Sequence, residues 1–216
     1  MSERYNVEVE DVLGENYKIT NIECSDYNPS IEGNITVTIT VNDVYGDAVS
    51  GESVTVVASE GTFTQLNGSD ITAASSVTGT TNSSGQFTLT YNCSELGLIT
   101  FTANNKTTQI KVTGWKQVAT TTVSGVTYTC YVNGEGVGKV NVRCSNVSFP
   151  SGNSHEATNW IPEAYKPVGD YYMLLERLIT DGALVYLWEY QTTIAIRNTY
   201  SSASTKSLNA TIVYSY

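Results

Sequence analysis

Apolar and polar residues alternate with a period of two along much of this chain. In residues 34–42, Ile35, Val37, Ile39 and Val41 fall on one side and Thr36, Thr38 and Thr40 on the other. That is the signature of a half-buried antiparallel strand. The same period marks residues 53–58, 61–64, 86–91, 98–103 and 107–112, with turn residues at 45–47 and 82–85. Short strands of this kind, separated by turns over roughly 95 residues, predict a β-sandwich.

Beyond residue 113 the alternation continues but the residues change. All three tryptophans and ten of the fifteen tyrosines lie there. Residues 127–132 and 139–145 alternate around the glycine-rich stretch 133–138, which predicts a hairpin. Residues 184–190, 192–198 and 208–214 obey the same rule. Leu174, Leu175 and Leu178 allow a helical turn in 171–179, but a strand is the better expectation. The whole reads as an all-β chain of two β-sandwich domains. Residues 1–18 are a charged arm or linker with a short strand at 5–9, residues 19–113 form the first sandwich, and residues 114–216 form the second.

Composition supports this. Thr, Val and Tyr suit a pleated, half-buried surface, and Ser, Asn and Gly suit turns. The chain has 216 residues, 40% of them hydrophobic and 15% charged, enough to bury a core. The net charge of −10 comes from the first half. Residues 1–113 hold fourteen acidic and four basic side chains, and residues 114–216 hold seven of each. Nucleic-acid binding needs a basic footprint, and the sequence is read as having none. No apolar run is long enough for a transmembrane helix, and the acidic start is unlike a secretory leader.

Two resemblances narrow the reading. The run from Val41 to Gly51 with its D-x-x-G-x-x-V-x-G turn, the T-x-x-x-G turn ending at Gly85, and the run from Gly97 to Ala103 resemble the bacterial Ig-like repeats of the invasin and intimin type. That implies an Ig-like spacer over about 95 residues, a fold that serves many functions. The segment Trp160-Ile-Pro-Glu-Ala-Tyr-Lys-Pro-Val-Gly169 is similar to the L-P-x-G-Y-R-P segment of receptor-binding heads on phage tail fibres and baseplates. Ile161 and Ala164 depart from the family's Leu and Gly. This second resemblance implies a jelly-roll-like, homotrimeric head at the tip of a fibre.

Candidate chemistry is sparse. His155 is the one histidine, beside Glu156 in a polar stretch, and is expected to be a surface loop residue. A triad or a zinc site needs further partners. Residues 134–139 lack the Gly-Lys-Ser/Thr of a phosphate-binding loop, and no pair among the carboxylates of 114–216 is set apart for glycoside hydrolysis. No run of calcium ligands appears. Cys24, Cys93, Cys130 and Cys144 form no CxxC motif. Cys130 and Cys144 flank the predicted hairpin, where a disulfide and two buried thiols are the open alternatives. No enzyme activity, cofactor or metal is expected.

Aromatic side chains are the best site candidates, because sugar faces and interface cores both favour them. Trp160, Tyr165, Tyr171 and Tyr172 gather around the proline segment, while Trp188, Tyr186 and Tyr190 share one face of a strand. Core and trimer-axis packing is the competing role for them. The resulting expectation is a virion tail-fibre or baseplate protein. It would attach to a host cell-surface glycan or protein through the aromatic residues, and to other tail proteins through the arm, with no membrane insertion. The alternative is a fragment of a prokaryotic adhesin on the extracellular cell surface.

Overall fold

The computed structural model describes residues 18–149, 154–167, 172–178, 183–188, 193–198 and 204–216. The strand expected at residues 5–9 lies outside them. The chain is all-β and divides into two units, Met1–Thr113 and Gly114–Tyr216.

In the first unit, β1 (Lys18–Cys24), β2 (Asn34–Asp43), β3 (Ser53–Ala58), β4 (Thr62–Leu66), β5 (Ser69–Ala74), β6 (Ser76–Thr80), β7 (Gln86–Asn92), β8 (Gly97–Ala103) and β9 (Lys106–Val112) form two sheets. Their orders are β1-β2-β7-β4-β5 and β6-β3-β8-β9. The alternation drives the packing. Ile35, Val37, Ile39 and Val41 are buried. The register sets Val37 against Leu89 and Ile39 against Phe87, so apolar rows line up across the sheet. Val54, Val56, Ile99, Phe101, Ile110 and Val112 meet them from the other sheet. At the centre, the Phe63, Tyr91 and Phe101 rings lie 4.9–5.8 Å apart, centroid to centroid. Tyr91 is buried at no polar loss, since its hydroxyl donates to the Glu60 carbonyl at 2.7 Å.

The motif turns are built by side chains. Asp43 Oδ1 accepts from the Tyr45 and Asp47 amides, both at 2.9 Å. Asn82 Oδ1 accepts from Ser84 N at 2.8 Å and Gln86 N at 3.1 Å. Such bonds are why Asp and Asn favour turns. Buried Thr81 ties the β2–β3 connection down: Oγ1 donates to Val49 O at 2.6 Å and accepts from Glu52 N at 2.9 Å.

This unit is threaded end to end. At one end Lys18 pairs with Asp43 in register and forms an ion pair with Glu52. There too Asn104 Nδ2, in the β8–β9 turn, donates to Thr20 Oγ1 at 2.8 Å. From that turn β9 runs the length of the sandwich. At the far end Thr113 N donates to Pro29 O at 2.9 Å, and Ile31 N donates to Thr113 O at 2.7 Å. The chain therefore enters at one end and leaves at the other, about 30 Å away at the usual strand rise.

The second unit contains β10 (Lys116–Val123), β11 (Val126–Val132), β12 (Val137–Phe149), β13 (Ser154–Ala157), a 3-10 turn (Glu163–Tyr165), β14 (Tyr172–Leu178), β15 (Ala183–Trp188), β16 (Thr193–Asn198) and β17 (Ser204–Ser215). One sheet has the order β10-β11-β12-β17 and the other β13-β16-β15-β14. The second order is a Greek key. The nested pairs β12–β17 and β13–β16 are those of a rolled ribbon. The strand expected in residues 171–179 is present as β14. The core sits on the inner face of the first sheet, with Val126, Tyr128, Cys130, Val140, Val142, Ile212 and Tyr214, and is covered by Phe149, Ala157 and Ile161.

Here the start of β10 and the end of β17 lie at one end of the sheet. Lys116 pairs with Val132, Val132 with Gly138, and Gly138 with Tyr214. Lys116 and Tyr214 thus lie on one row, three strand spacings or about 14 Å apart. No helix among the described residues is long and apolar enough to cross a membrane.

Candidate functional site

The segment around Trp160 forms a cap on the second core. Ile161 is buried, and Trp160 and Tyr165 pack half-buried against the same cluster. The Trp160 ring lies 6.1 Å from that of Tyr128, and the Tyr165 ring 5.4 Å from that of Tyr216, edge to face. Tyr214 OH donates to Tyr165 O at 3.0 Å and contacts Cys130 Sγ at 3.1 Å. One hydroxyl has one proton, so the thiol donates to Tyr214, and Cys130, Tyr214 and Tyr165 form a buried relay. Burial pushes the Tyr214 hydroxyl and the Cys130 thiol upward. Trp160 Nε1 is buried without a hydrogen-bond partner among the described residues.

Of the seven aromatic candidates, Trp160 and Tyr165 thus join one cap, and Tyr186 pairs with Leu174 in the β14–β15 register. Tyr172 and Trp188 are directly paired in the β14–β15 register, so the backbone brings these two positions together. Tyr171 and Tyr190 lie outside the described residues.

One open alternative is settled and one expectation needs correction. Cys130 pairs with Val140, four residues short of Cys144 on β12. That is about 13 Å along the strand, too far for a disulfide, and all four cysteines are free thiols. His155 is not in a loop. It lies in β13 opposite Ile196, its ring centroid 4.5 Å from that of Phe149. Its Nε2 is 3.1 Å from Ser148 O, and a carbonyl accepts only from the Nε2–H tautomer. The stretch 133–138 is the expected hairpin turn: Asn133 Oδ1 accepts from Glu135 N at 2.9 Å and Val137 N at 3.2 Å. Among the described residues no group of three or more His, Cys, Asp or Glu could hold a metal ion.

A second cluster lies on the outward face of the β10–β11–β12–β17 sheet. Registers set Gln117, Tyr131, Lys139 and Val213 in one row across it. Thr120, Thr129, Asn141 and Thr211 form the next. Thr122, Thr127, Arg143 and Asn209 form the third. Neighbours in each row hold one another in place. Lys139 Nζ lies 4.3 Å from the Trp115 ring centroid and 5.2 Å from that of Tyr131, a cation–π geometry. Thr211 Oγ1 donates to Asn141 Oδ1 at 2.9 Å, and Arg143 Nε donates to Asn209 Oδ1 at 3.2 Å. Beside Arg143 an open groove of about 530 Å³ is lined by Gly125, Thr127, Arg143, Cys144, Ser145 and Asn209.

The sequence reading missed this face because its residues are ordinary one by one. Their signal is positional: they occupy the polar side of strands, of which β11, β12 and β17 were recognised by their apolar side.

No protein-family model and no curated protein sequence matches the chain. Among solved structures, the Yersinia pseudotuberculosis adhesin InvE is similar over 90% of this chain and 58% of its own, at 12% identity and a TM-score of 0.36. Domains 5–6 of the S-layer protein SbsC are similar over 92% of this chain and 98% of their own, at 15% identity and a TM-score of 0.28. Domains 4 and 5 of SbsC are similar over 44% of this chain and 52% of their own, at 21% identity and a TM-score of 0.28. These likenesses are distant, and the architecture of both units rests on the chain's own strand pairing.

Proposed function

We propose that this chain is a surface adhesion protein, acting by binding rather than catalysis. The first unit extends it and the second makes contact. The observation that carries this reading is the course of the chain. A sandwich entered at Lys18 and left at Thr113 adds about 30 Å of reach between the residues joined to its two ends. The acidic, Thr-rich surface of that unit suits a solvated spacer. The second unit begins and ends on one row, has balanced charge, and carries most of the aromatic side chains. Binding would occur on the extracellular cell surface, to a glycan or protein of the opposing cell. Several copies acting together raise weak contacts to useful avidity.

The test is adhesion of the full chain, immobilised on beads, to prokaryotic cells. Gly79→Val and Gly138→Val each drive a side chain into a buried ring, of Phe87 and Tyr214 respectively. Adhesion should vanish with Gly138→Val and persist with Gly79→Val. The reverse pattern, or no adhesion of the unaltered chain above a carrier protein, overturns the proposal.

A second reading keeps the same division of labour on a virion tail, with a homotrimeric head and an arm bound to other tail proteins. The similarity of residues 160–169 to phage receptor-binding heads favours it. Light scattering of the whole chain decides: a threefold mass supports this reading, and a monomer mass rules it out.

A further inference from the structure

We infer that the outward face of the β10–β11–β12–β17 sheet binds an acidic polysaccharide. This rests on the reading of the second unit as the contacting one and names its ligand. The first ground is charge. The chain has 21 Asp and Glu, yet these four strands contain none, and the outward rows carry Lys139 and Arg143. The first carboxylate met on leaving β11 is Glu135, in the turn beyond the sheet. Opposite charges within a Debye length attract, and a sheet with one sign of charge selects a partner of the other.

The second ground is shape and chemistry. Lys139 and Arg143 lie on the same face of β12, about 13 Å apart, so their charges meet successive acid groups on an extended polymer rather than one small anion. Arg143 is anchored through Nε by Asn209. Its terminal nitrogens form the edge that pairs bidentately with a carboxylate. The groove beside it offers the Thr127 and Ser145 hydroxyls, which suit sugar hydroxyls. At the other end Trp115, still 37% exposed, and Tyr131 present rings on which a sugar face can stack. A flat, hydroxyl-rich sheet face bordered by rings fits a polysaccharide strand better than a folded protein surface, whose hot spots sit in desolvated pockets.

The experiment is affinity electrophoresis of the full chain through gels containing polygalacturonate, neutral dextran or single-stranded DNA. Polygalacturonate should retard the chain at low salt and dextran should not. Retardation should weaken steeply with salt and fall at least tenfold in Lys139→Gln/Arg143→Gln, a surface double variant whose melting curve reports intact folding. Trp115→Ala should weaken it less. Equal retardation by dextran, no retardation by polygalacturonate, an unaffected double variant, or stronger retardation by DNA would each overturn the inference. Cell adhesion of the same double variant separates the two levels. If adhesion survives unchanged, this face is not the site although the adhesive reading stands. If the unaltered chain does not adhere, the adhesive reading itself has failed.

Discussion

In the first unit the chain enters beside Asn104 and leaves beside Pro29, at opposite ends of one sandwich. In the second it begins at Lys116 and ends at Tyr216 on the same side of one sheet. Both are antiparallel sandwiches packed by the same alternation, so core chemistry does not distinguish them. Threading and surface do. A unit crossed from end to end transmits length and needs only a solvated exterior. In the second unit the outward sheet face carries Lys139 and Arg143, aromatic rings and a groove. Similar folds can thus differ in what the polar side of each strand presents.

The largest effects should come from emptying either core. Phe101→Ala removes the ring that joins Phe63 and Tyr91 and should cost about 4 kcal/mol. Tyr128→Ala should cost about as much in the second unit, where the ring is wholly buried. If the units are independent, calorimetry will show two transitions, and each variant will lower only its own. A single transition moved by both variants would break the comparison.

Close backbone approaches give a smaller, matched pair. A Cβ on Gly79 would lie 2.4 Å from the Phe87 ring, and one on Gly138 would lie 2.3 Å from the Tyr214 ring. Gly79→Ala and Gly138→Ala should each cost about 1–3 kcal/mol in opposite units, read from urea midpoints. Removing single hydroxyls should matter less. Thr81→Val leaves Val49 O and Glu52 N without their side-chain partner and should destabilise the first unit by about 1–2 kcal/mol. Tyr214→Phe breaks the relay to Tyr165 and should cost the second about 1 kcal/mol.

Alkali should produce the mildest and most gradual change. Burial raises the Cys24 thiol from 9.0 to about 11, and the Tyr91 hydroxyl rises for the same first reason. Above pH 9 the unfolded chain loses the Cys24 proton while the folded chain retains it. Stability contributed by the neutral thiol is complete below pH 9 and lost as pH climbs through about 11. Cys24→Ala should flatten the first unit's decline over that window in a thermal-melt series. An unchanged slope would remove the thiol from the explanation.

Much of the fold was legible because burial on one face leaves a period of two. The strands β2, β3, β4, β7, β8, β9, β11, β12 and β15–β17 announce themselves in the sequence. Those the sequence hid broke the rule for physical reasons. In β1 the buried positions are Thr20, Ile22 and Cys24 while Ile19 faces solvent, so apolarity and burial disagree. The β5 edge strand buries no residue fully, and a register shift between Gln117 and Ala119 interrupts β10. The candidate site was less legible. Aromaticity drew attention to Trp160 and Tyr165, which the fold uses partly to close a core. The Lys139–Arg143 face depends on registers between strands far apart in sequence, such as Arg143 with Asn209, which periodicity within one strand cannot reveal.

The most direct test of the division between extending and contacting units is hydrogen exchange of the full chain with and without polygalacturonate. Slowed exchange is expected in residues 115–147 and 205–215, with none in residues 18–113. Protection centred on the first unit, or none anywhere, would contradict it.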